Sequence, residues 1–197
     1  MGRAVALLRA VNVGGRTATK AQLTAGLQSV GLTGVSTFLA SGNVLFDLLS
    51  GAGSLGPTDP VAVPGSTWPD EQRAALEARI DGGLQTVLGF PVEVFVRTAV
   101  ELAELAARDA FPDADPAVSR QVAFLKTRPS TAARRAVAGL STDRDTLAMT
   151  AREVCWLAAD GVGRSALKPG VLDRTVGQPT TVRSRTTVIR LAALLQT

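Results

Sequence analysis

Three short segments of the sequence combine Arg with Gly, Asn, Ser or Thr, the residue types from which proteins build anion sites. They are RAVNVGGR at residues 9–16, SGN at residues 41–43 and RSRTT at residues 183–187. Backbone N–H groups at glycine-rich turns and helix N-termini can point toward a phosphate, and Arg adds positive charge. The candidate ligand-binding residues are Arg9, Asn12, Gly14, Gly15, Arg16, Ser41, Gly42, Asn43, Arg183, Arg185 and Thr187. Turn formation is the competing interpretation, because Asn, Gly and Ser form turns more often than phosphate sites.

The third segment also fits the beginning of a helix. Ser184, Thr186 and Thr187 are residue types that cap helices. Arg183 and Arg185 would attract an anion to the positive end of the helix dipole. We therefore expect this segment to open the last helix of the chain.

The absence of His excludes several classes of enzyme and metal protein. Ser-His-Asp and Cys-His hydrolases need an imidazole base. Zinc sites of the finger or hydrolase kind need several Cys or His ligands, and this chain has one Cys and no His. Carboxylate sites for magnesium or calcium are left open, and no acidic cluster suggests one. We expect neither a metal nor a cofactor.

Other chemistry-bearing residues have a structural interpretation. Cys155 lies in the apolar run VCWLAA, which predicts a buried small hydrophobe and not a reactive thiol. Asp109, with Asp113 and Asp115 after it, is typical of a solvated turn. A helical segment contains four charged residues at positions where we expect solvent-exposed charges: Glu71, Arg73, Glu77 and Arg79.

The charge is distributed unevenly along the chain. Residues 1–119 carry 8 Lys and Arg against 12 Asp and Glu, a net charge of −4, whereas residues 120–197 carry 13 against 5, a net charge of +8. Clustered cations attract phosphates, so the partners suggested are a phosphate-bearing small molecule or a nucleic acid. The alternative is a GC-rich genome that encodes its surface cations as Arg. The 4% of aromatic residues and the absence of Tyr provide few platforms for stacking bases.

The composition also indicates where the protein works. Hydrophobic residues make up 46% of the chain, yet no apolar run reaches the roughly 18 residues needed to cross a bilayer. No targeting segment is evident, and one Cys cannot form an intrachain disulfide. We expect a soluble, cytoplasmic protein with no membrane partner. The oligomeric state is not indicated.

The first half reads as strand, helix, two strands, helix and strand. The predicted elements are a strand at 4–13, a helix at 20–30, strands at 35–40 and 43–48, an exposed loop at 49–68, a helix at 69–88 and a strand at 91–97. The helices follow from apolar residues at helical spacing, and the loop follows from its Gly, Pro, Ser and Thr content. This is the ferredoxin-like order, in which two helices cover one face of an antiparallel sheet.

The second half has elements of similar character. The predicted elements are helices at 100–109, 131–140, 168–176 and 187–196, and strands at 121–126, 146–150 and 153–158. No final strand is evident. The sequence thus predicts an α+β fold of two ferredoxin-like subdomains, at residues 1–98 and 99–197, the second ending in a helix.

Three collinear blocks together resemble a known family. ALLRAVNVGG at 6–15, TFLASGNVLF at 37–46 and TVRSRTTVIRLAAL at 181–194 are similar to the domain of unknown function 1697 family of uncharacterised bacterial proteins, and Gly-Arg-Ser at 163–165 adds to the likeness. The resemblance implies two ferredoxin-like subdomains and no established activity.

The chain departs from this family where polar side chains would be expected. The family usually has Gly, Tyr, Gln and Lys at four positions, and Asn-Trp in the last block. This sequence has Ala10, Phe38, Ala40, Ala166 and the pair Ser184 and Arg185 there. Losing one partner of a buried hydrogen bond costs about 1–3 kcal/mol, so we expect any shared site to be altered.

Three functions remain open. The favoured one is a binding module for a phosphate-bearing ligand, nucleotide or nucleic acid, that uses Arg9, Arg16, Arg183 and Arg185. The second is an enzyme that works by electrostatic stabilisation, with Arg9, Asn12 and Arg183 as clamps and Asp47 or Lys20 as the proton carrier. The third is a structural or interaction protein whose sheets pair with another copy or a partner.

Overall fold

The computed structural model describes residues 2–12, 14–39, 42–48, 68–168 and 170–196. The chain forms two compact units, one of Met1–Ala103 with Leu191–Thr197 and one of Glu104–Arg190. The subdomain limits at residues 98 and 99 stay a prediction. Most of the loop predicted at 49–68 lies outside the described residues.

Unit 1 is built around a four-stranded antiparallel sheet. Its elements are β1 (Gly2–Leu8), α1 (Lys20–Ser29), β2 (Thr33–Phe38), β3 (Asn43–Leu48), α2 (Asp70–Leu88) and β4 (Val94–Thr98), followed by α3 (Ala99–Ala107). The strand order is β2-β3-β1-β4, and β1 pairs with β3 and β4. This is the ferredoxin-like arrangement, and the predicted fold class is confirmed.

The core of unit 1 lies between this sheet and the two helices. Alternate residues of the strands pack against the apolar stripes of α1 and α2, as the helical spacing predicts. The buried residues include Ala4, Ala6, Leu8, Leu23, Leu27, Phe46, Leu76, Ile80, Leu84, Val94 and Val96. The first strand is shorter than predicted, because Ala10 and Asn12 have positive φ angles of 56° and 63° that a strand does not tolerate.

The two helices of unit 1 approach each other closely at glycines. A Cβ on Gly83 would lie 2.4 Å from the carbonyl oxygen of Gly26, and a Cβ on Gly26 would lie 2.7 Å from Cδ2 of Leu84. Neither contact leaves room for a methyl group. The helix–helix distance therefore depends on two residues without side chains.

The outer edge of β4 is covered by side chains of α2. The Val96 N–H donates to Oε1 of Glu77 at 2.8 Å, and the Val96 carbonyl accepts from Nη1 of Arg73 at 2.6 Å. Arg73 also pairs with Glu101 at 2.6 Å. The prediction that Arg73 and Glu77 face solvent is wrong: they are 1% and 3% exposed, because an edge strand leaves backbone groups that need partners.

Trp68 also differs from its predicted place in an exposed loop. It is 5% exposed, and its indole Nε1 donates to Oε1 of Gln72 at 3.2 Å. The guanidinium of Arg73 lies 5.2 Å from the centre of its ring. The large apolar ring is buried because it packs against the first turn of α2.

Unit 2 repeats the same topology. Its elements are β5 (Ser119–Leu125), α4 (Thr131–Ala138), β6 (Asp145–Met149), β7 (Glu153–Ala158), a short 3₁₀ helix (Val162–Arg164), α5 (Val171–Val176), β8 (Thr180–Ser184) and α6 (Arg185–Leu194). The strand order is β6-β7-β5-β8, antiparallel throughout. Its core includes Ala123, Leu125, Val137, Leu147, Val154, Trp156, Leu172 and Val176.

The final strand β8 is the element that the sequence analysis missed. Its five residues, TTVRS, contain one aliphatic residue, and α6 follows at Arg185 with no turn residue between them. This segment is a strand because it pairs with the buried strand β5, in a register that places Val122 opposite Arg183. Among the described residues, no helix is long and apolar enough to span a membrane.

Candidate functional site

In unit 1, the loop after β1 lies against the turn between β2 and β3. The Leu8 N–H donates to the carbonyl of Gly42 at 2.7 Å, and a Cβ on Gly42 would lie 2.5 Å from Cγ2 of Val11. Gly42 also has a φ of 72°, so both space and backbone conformation require glycine. The first two predicted segments are thus brought together. Ser41 lies outside the described residues.

The two asparagines of these segments hold turns in place. The Asn12 side-chain oxygen accepts from the Ala18 N–H at 2.7 Å, across the loop that leads into α1. The fully buried Asn43 donates through Nδ2 to the Phe38 carbonyl at 2.9 Å. These contacts support the turn interpretation of both residues. Their role in ligand binding stays a prediction.

The candidate residues of these loops that are exposed are Asn12, Gly14, Gly15 and Arg16. Both glycines are exposed, with φ angles of 62° and 82°. The Arg16 guanidinium lies 5.2 Å from the centre of the Phe90 ring. Arg9 is half-buried, and its backbone N–H donates to the backbone carbonyl of Glu93 at 2.9 Å.

Backbone strain is concentrated around the same loops. Among the described residues, the non-glycine residues with positive φ are Ala10, Asn12 and Leu39, at 56°, 63° and 59°. Such conformations cost about 1 kcal/mol or more each and occur where the surrounding structure enforces them. Of the two alternative proton carriers, Asp47 pairs with Arg3 at 3.3 Å, and Lys20 is exposed at the start of α1; the role of either one stays a prediction.

In unit 2, Arg183 is part of the sheet. It is 8% exposed, and its Nη1 donates to Oγ1 of Thr181 at 2.9 Å and to the Val182 carbonyl at 2.8 Å. Desolvation by burial lowers the pKa of its guanidinium to about 10, which leaves it a cation at neutral pH. Ligand contact by Arg183 stays a prediction that its burial weakens.

Unit 1 has an equivalent of this arginine. Arg97 occupies the same place in β4, opposite Val5 of the central strand, and its Nη1 donates to the Val96 carbonyl at 2.9 Å. The sequence signal is the short repeat Val-Arg-Thr at 96–98 and Val-Arg-Ser at 182–184, each at a strand end before a helix. This repeat could have revealed strand β8 and its buried Arg183.

The beginning of α6 has the predicted cap. Ser184 Oγ accepts from the Thr187 N–H at 3.2 Å and contacts Oγ1 of Thr187 at 2.9 Å. Arg185, the first residue of the helix, donates through Nη2 to the Ala106 carbonyl at 3.1 Å. Its Nη2 lies 3.9 Å from Oδ2 of Asp109.

An open groove of about 440 Å³ lies beside this helix end. We call it the α6 groove and define it by six of the residues that line it: Asp109, Arg120, Ser184, Arg185, Thr186 and Ile189. The remaining wall is formed by the loop before β5. The predicted residue Arg185 therefore lies in a groove, with cap and first-turn residues beside it.

Arg120 organises that loop, and the sequence analysis did not identify it. Its guanidinium donates to carbonyl oxygens of Phe111 (3.3 Å), Ala114 (2.8 Å), Asp115 (3.0 Å) and Val118 (3.2 Å). Its Nε lies 3.5 Å from Oδ2 of Asp109. Asp109 makes a turn contact, because its Oδ1 accepts from the Phe111 N–H at 3.0 Å, but it is half-buried between two arginines and not solvated as predicted. Asp113 and Asp115 are exposed as predicted.

Cys155 lines a small cavity next to this groove. The prediction that it is buried is confirmed, with 8% of the residue exposed. Desolvation raises the pKa of its thiol from 9.0 to about 11, so it is protonated at neutral pH. Within the part of the chain that the structure describes, no three acidic or thiol side chains form a metal-binding group.

Comparisons with known proteins agree with the architecture. The fold is similar to that of a conserved bacterial protein, SP0830, from Streptococcus pneumoniae, with a TM-score of 0.65, 17% identity and 98% of each chain covered. At this identity the likeness concerns the fold alone. Curated protein sequences give no match. The family described as "Protein of unknown function (DUF1697)" matches residues 1–54 and 67–155, so the block at 181–194 lies outside the matched residues. The chain belongs to this family.

Proposed function

We propose that the chain is a binding module for a phosphate-bearing ligand, nucleotide or nucleic acid, and that the α6 groove receives the phosphate. The observation that carries the proposal is the position of Arg185, at the first turn of a ten-residue helix and on the wall of an open groove. The first amides of a helix have no intrahelical acceptor, and the helix dipole favours an anion at this end.

The charges of the groove support an anionic ligand. Arg120 and Arg185 oppose one carboxylate, that of Asp109, which leaves one net positive charge. Asp109 lies 3.9 Å from Arg185, beyond hydrogen-bond distance, so a phosphate can become the closer partner of Arg185. Asp109 and the Ala106 carbonyl keep the guanidinium oriented until a ligand arrives.

The size and lining of the groove suit a small polar group. A volume of about 440 Å³ is within the range of roughly 300–1,000 Å³ that small-molecule sites occupy. The lining residues include no aromatic side chain on which a base could stack. Recognition would therefore rest on the phosphate, and the base or sugar would contribute little.

Isothermal titration with ADP and with inorganic pyrophosphate tests this proposal. We expect both ligands to bind, and Arg185→Gln to weaken binding about tenfold or more, which is about 1.4 kcal/mol. Arg164→Gln is the matched control, because it removes the same charge from an exposed arginine that is not part of the groove lining. Binding should fall as salt is raised.

The alternative location in unit 1 is tested in the same titration. Arg16→Gln removes an exposed cation beside Gly14 and Gly15. If this variant loses pyrophosphate binding while Arg185→Gln retains it, the phosphate site lies in the unit 1 loops and the groove assignment is wrong. If the wild-type protein binds neither ligand at millimolar concentration, the α6 groove receives no phosphate and the proposal for a nucleotide ligand is wrong.

A further inference from the structure

A second group of cations in unit 2 lies at the opposite end of strand β5 from the α6 groove. We call it the basic end and define it by Lys126, Arg128, Arg134, Arg135 and Arg152. These residues come from the end of β5, the loop into α4, the first two turns of α4 and the turn between β6 and β7. The groove residues lie near the start of β5, so the two sites share no side chain.

Hydrogen bonds join these segments into one surface. Arg152 donates through Nη1 to the Lys126 carbonyl at 2.6 Å, and its own carbonyl accepts from the Leu125 N–H at 2.9 Å. Arg134 donates through Nη2 to the Ala151 carbonyl at 3.3 Å. The loop, the helix and the turn are therefore joined, and the guanidinium groups of Arg134 and Arg152 are held in place by these contacts.

The basic end has little negative charge to balance it. No Asp or Glu occurs between residues 116 and 142. The nearest carboxylate in the turn is Glu153, which is 9% exposed and accepts from the Thr150 hydroxyl at 2.6 Å. Five cations against this one carboxylate leave four net positive charges, as many as the net charge of +4 of the whole chain.

The exposed side chains of this surface are arginines, and Lys126 beside them is half-buried. Arg128 and Arg135 are exposed and Arg134 is half-buried, whereas Arg152 is buried and acts on the backbone beneath them. Desolvation lowers the pKa of the Arg152 guanidinium, as expected for a cation buried to hold a turn. Side chains on a helix lean toward its N-terminus, which brings Arg134 and Arg135 toward the loop that carries Arg128.

The geometry points to the sugar-phosphate backbone of a nucleic acid duplex as the partner of the basic end. One guanidinium group can donate two parallel hydrogen bonds to a phosphate, and several guanidinium groups on one surface suit a chain of phosphates. The exposed large hydrophobic residues of the described chain, such as Val162 and Ile189, lie outside the basic end. The surface therefore has no apolar group to insert into a membrane.

The same surface favours a duplex over a single strand. The basic end contains no aromatic side chain, and single strands are bound largely by stacking of their bases on aromatic rings. Contacts to phosphate alone carry no base information, so binding is independent of sequence. This inference concerns other residues than the α6 groove and does not need the groove to bind phosphate.

Fluorescence anisotropy with a labelled duplex of about 20 base pairs tests the inference at salt concentrations from about 50 to 200 mM. Three phosphate contacts give a slope of about −3 in a plot of log K against log salt. Arg128→Gln with Arg135→Gln should reduce the magnitude of that slope by about 2. At about 0.1 M salt, this change in slope corresponds to a fall in the affinity for the duplex of up to about 60-fold.

A matched double variant removes the same charge elsewhere in unit 2. Arg144→Gln with Arg164→Gln changes two exposed arginines at the far end of β6 and β7 and should retain most of the affinity. Equal losses from both double variants would mean that net charge alone attracts the duplex, and would overturn the inference. Thermal melts of all variants check that each is folded.

Other probes separate the remaining outcomes. Arg185→Gln should leave duplex binding unchanged, and the Arg128 and Arg135 variant should leave pyrophosphate binding unchanged, so that each proposal can fail alone. No binding of the wild-type protein at about 50 mM salt would overturn the inference. Tighter binding to a single strand, or to phosphatidylserine vesicles, than to the duplex would also overturn it.

Discussion

Because α1 and α2 are in close contact, substituting Ala for two adjacent glycines of α2, Gly82 and Gly83, should change the stability of the protein in opposite directions. Both Gly82 and Gly83 lie inside α2, where Ala is favoured over Gly by about 1 kcal/mol. A Cβ on Gly82 would meet nothing within 4 Å. A Cβ on Gly83 would lie 2.4 Å from the Gly26 carbonyl oxygen and 2.7 Å from Cγ1 of Val30.

The magnitudes follow from these distances. Gly82→Ala should raise the free energy of unfolding by about 1 kcal/mol through helix propensity alone. Gly83→Ala gains the same amount, but α1 must move back by about 1 Å because its backbone cannot rotate away as a side chain could. Overpacking of this kind costs about 1–3 kcal/mol, and a backbone contact belongs at the upper end. We expect a net loss of about 2 kcal/mol.

Thermal and urea denaturation measure the difference between the two variants. A change of about 1 kcal/mol shifts the Tm of a chain of this size by about 2–4 °C. We expect Gly82→Ala to melt about 3 °C above the wild-type protein and Gly83→Ala about 6 °C below it. If Gly83→Ala melts at or above the wild-type temperature, the two helices do not approach as closely as described and the reasoning is refuted.

Three further predictions follow from buried polar groups. Glu77→Ala leaves the edge of β4 without its acceptor and should lower the free energy of unfolding by about 1–3 kcal/mol in urea denaturation. The control Glu71→Ala, at an exposed position, should change it by less than about 0.5 kcal/mol. Equal effects of the two substitutions would contradict the edge contact. Arg120→Gln should speed proteolytic cleavage within residues 109–118 while the protein stays folded, and an unchanged cleavage rate would show that the loop does not depend on the guanidinium. The raised pKa of Cys155 stabilises the folded protein below pH 9.0, and this stability is lost as the pH rises to about 11, since the unfolded thiol ionises first. Cys155→Ala should flatten the fall in stability over that interval, and an identical fall in the variant would contradict the burial of the thiol.

Local sequence patterns were sufficient for most of the elements. The strand at Asn43–Leu48 was predicted with its observed limits, and α1 was predicted to within one residue, because apolar periodicity is a local signal. The ferredoxin-like order of unit 1 followed from these elements. β8 escaped because its strand character comes from pairing with β5 and not from its own residues.

Polar residues were harder to assign, because their environment is set by distant parts of the chain. Arg73 and Glu77 have the spacing of a solvent-exposed helix face, yet both bind the edge of a strand about 20 residues later. Asp109 was predicted to be solvated, and Arg120 had no local signal at all. Each of these residues needed a partner that the sequence does not place.

Residue types and their spacing are enough to establish the alternation of strands and helices, the chemistries excluded by the absence of His, and the excess of cations after residue 119. Folding establishes which arginines are buried in sheets, which organise a loop and which remain accessible at the α6 groove and the basic end. Periodicity shows which face of an element is apolar, whereas the environment of a charge depends on whether folding brings a partner to it.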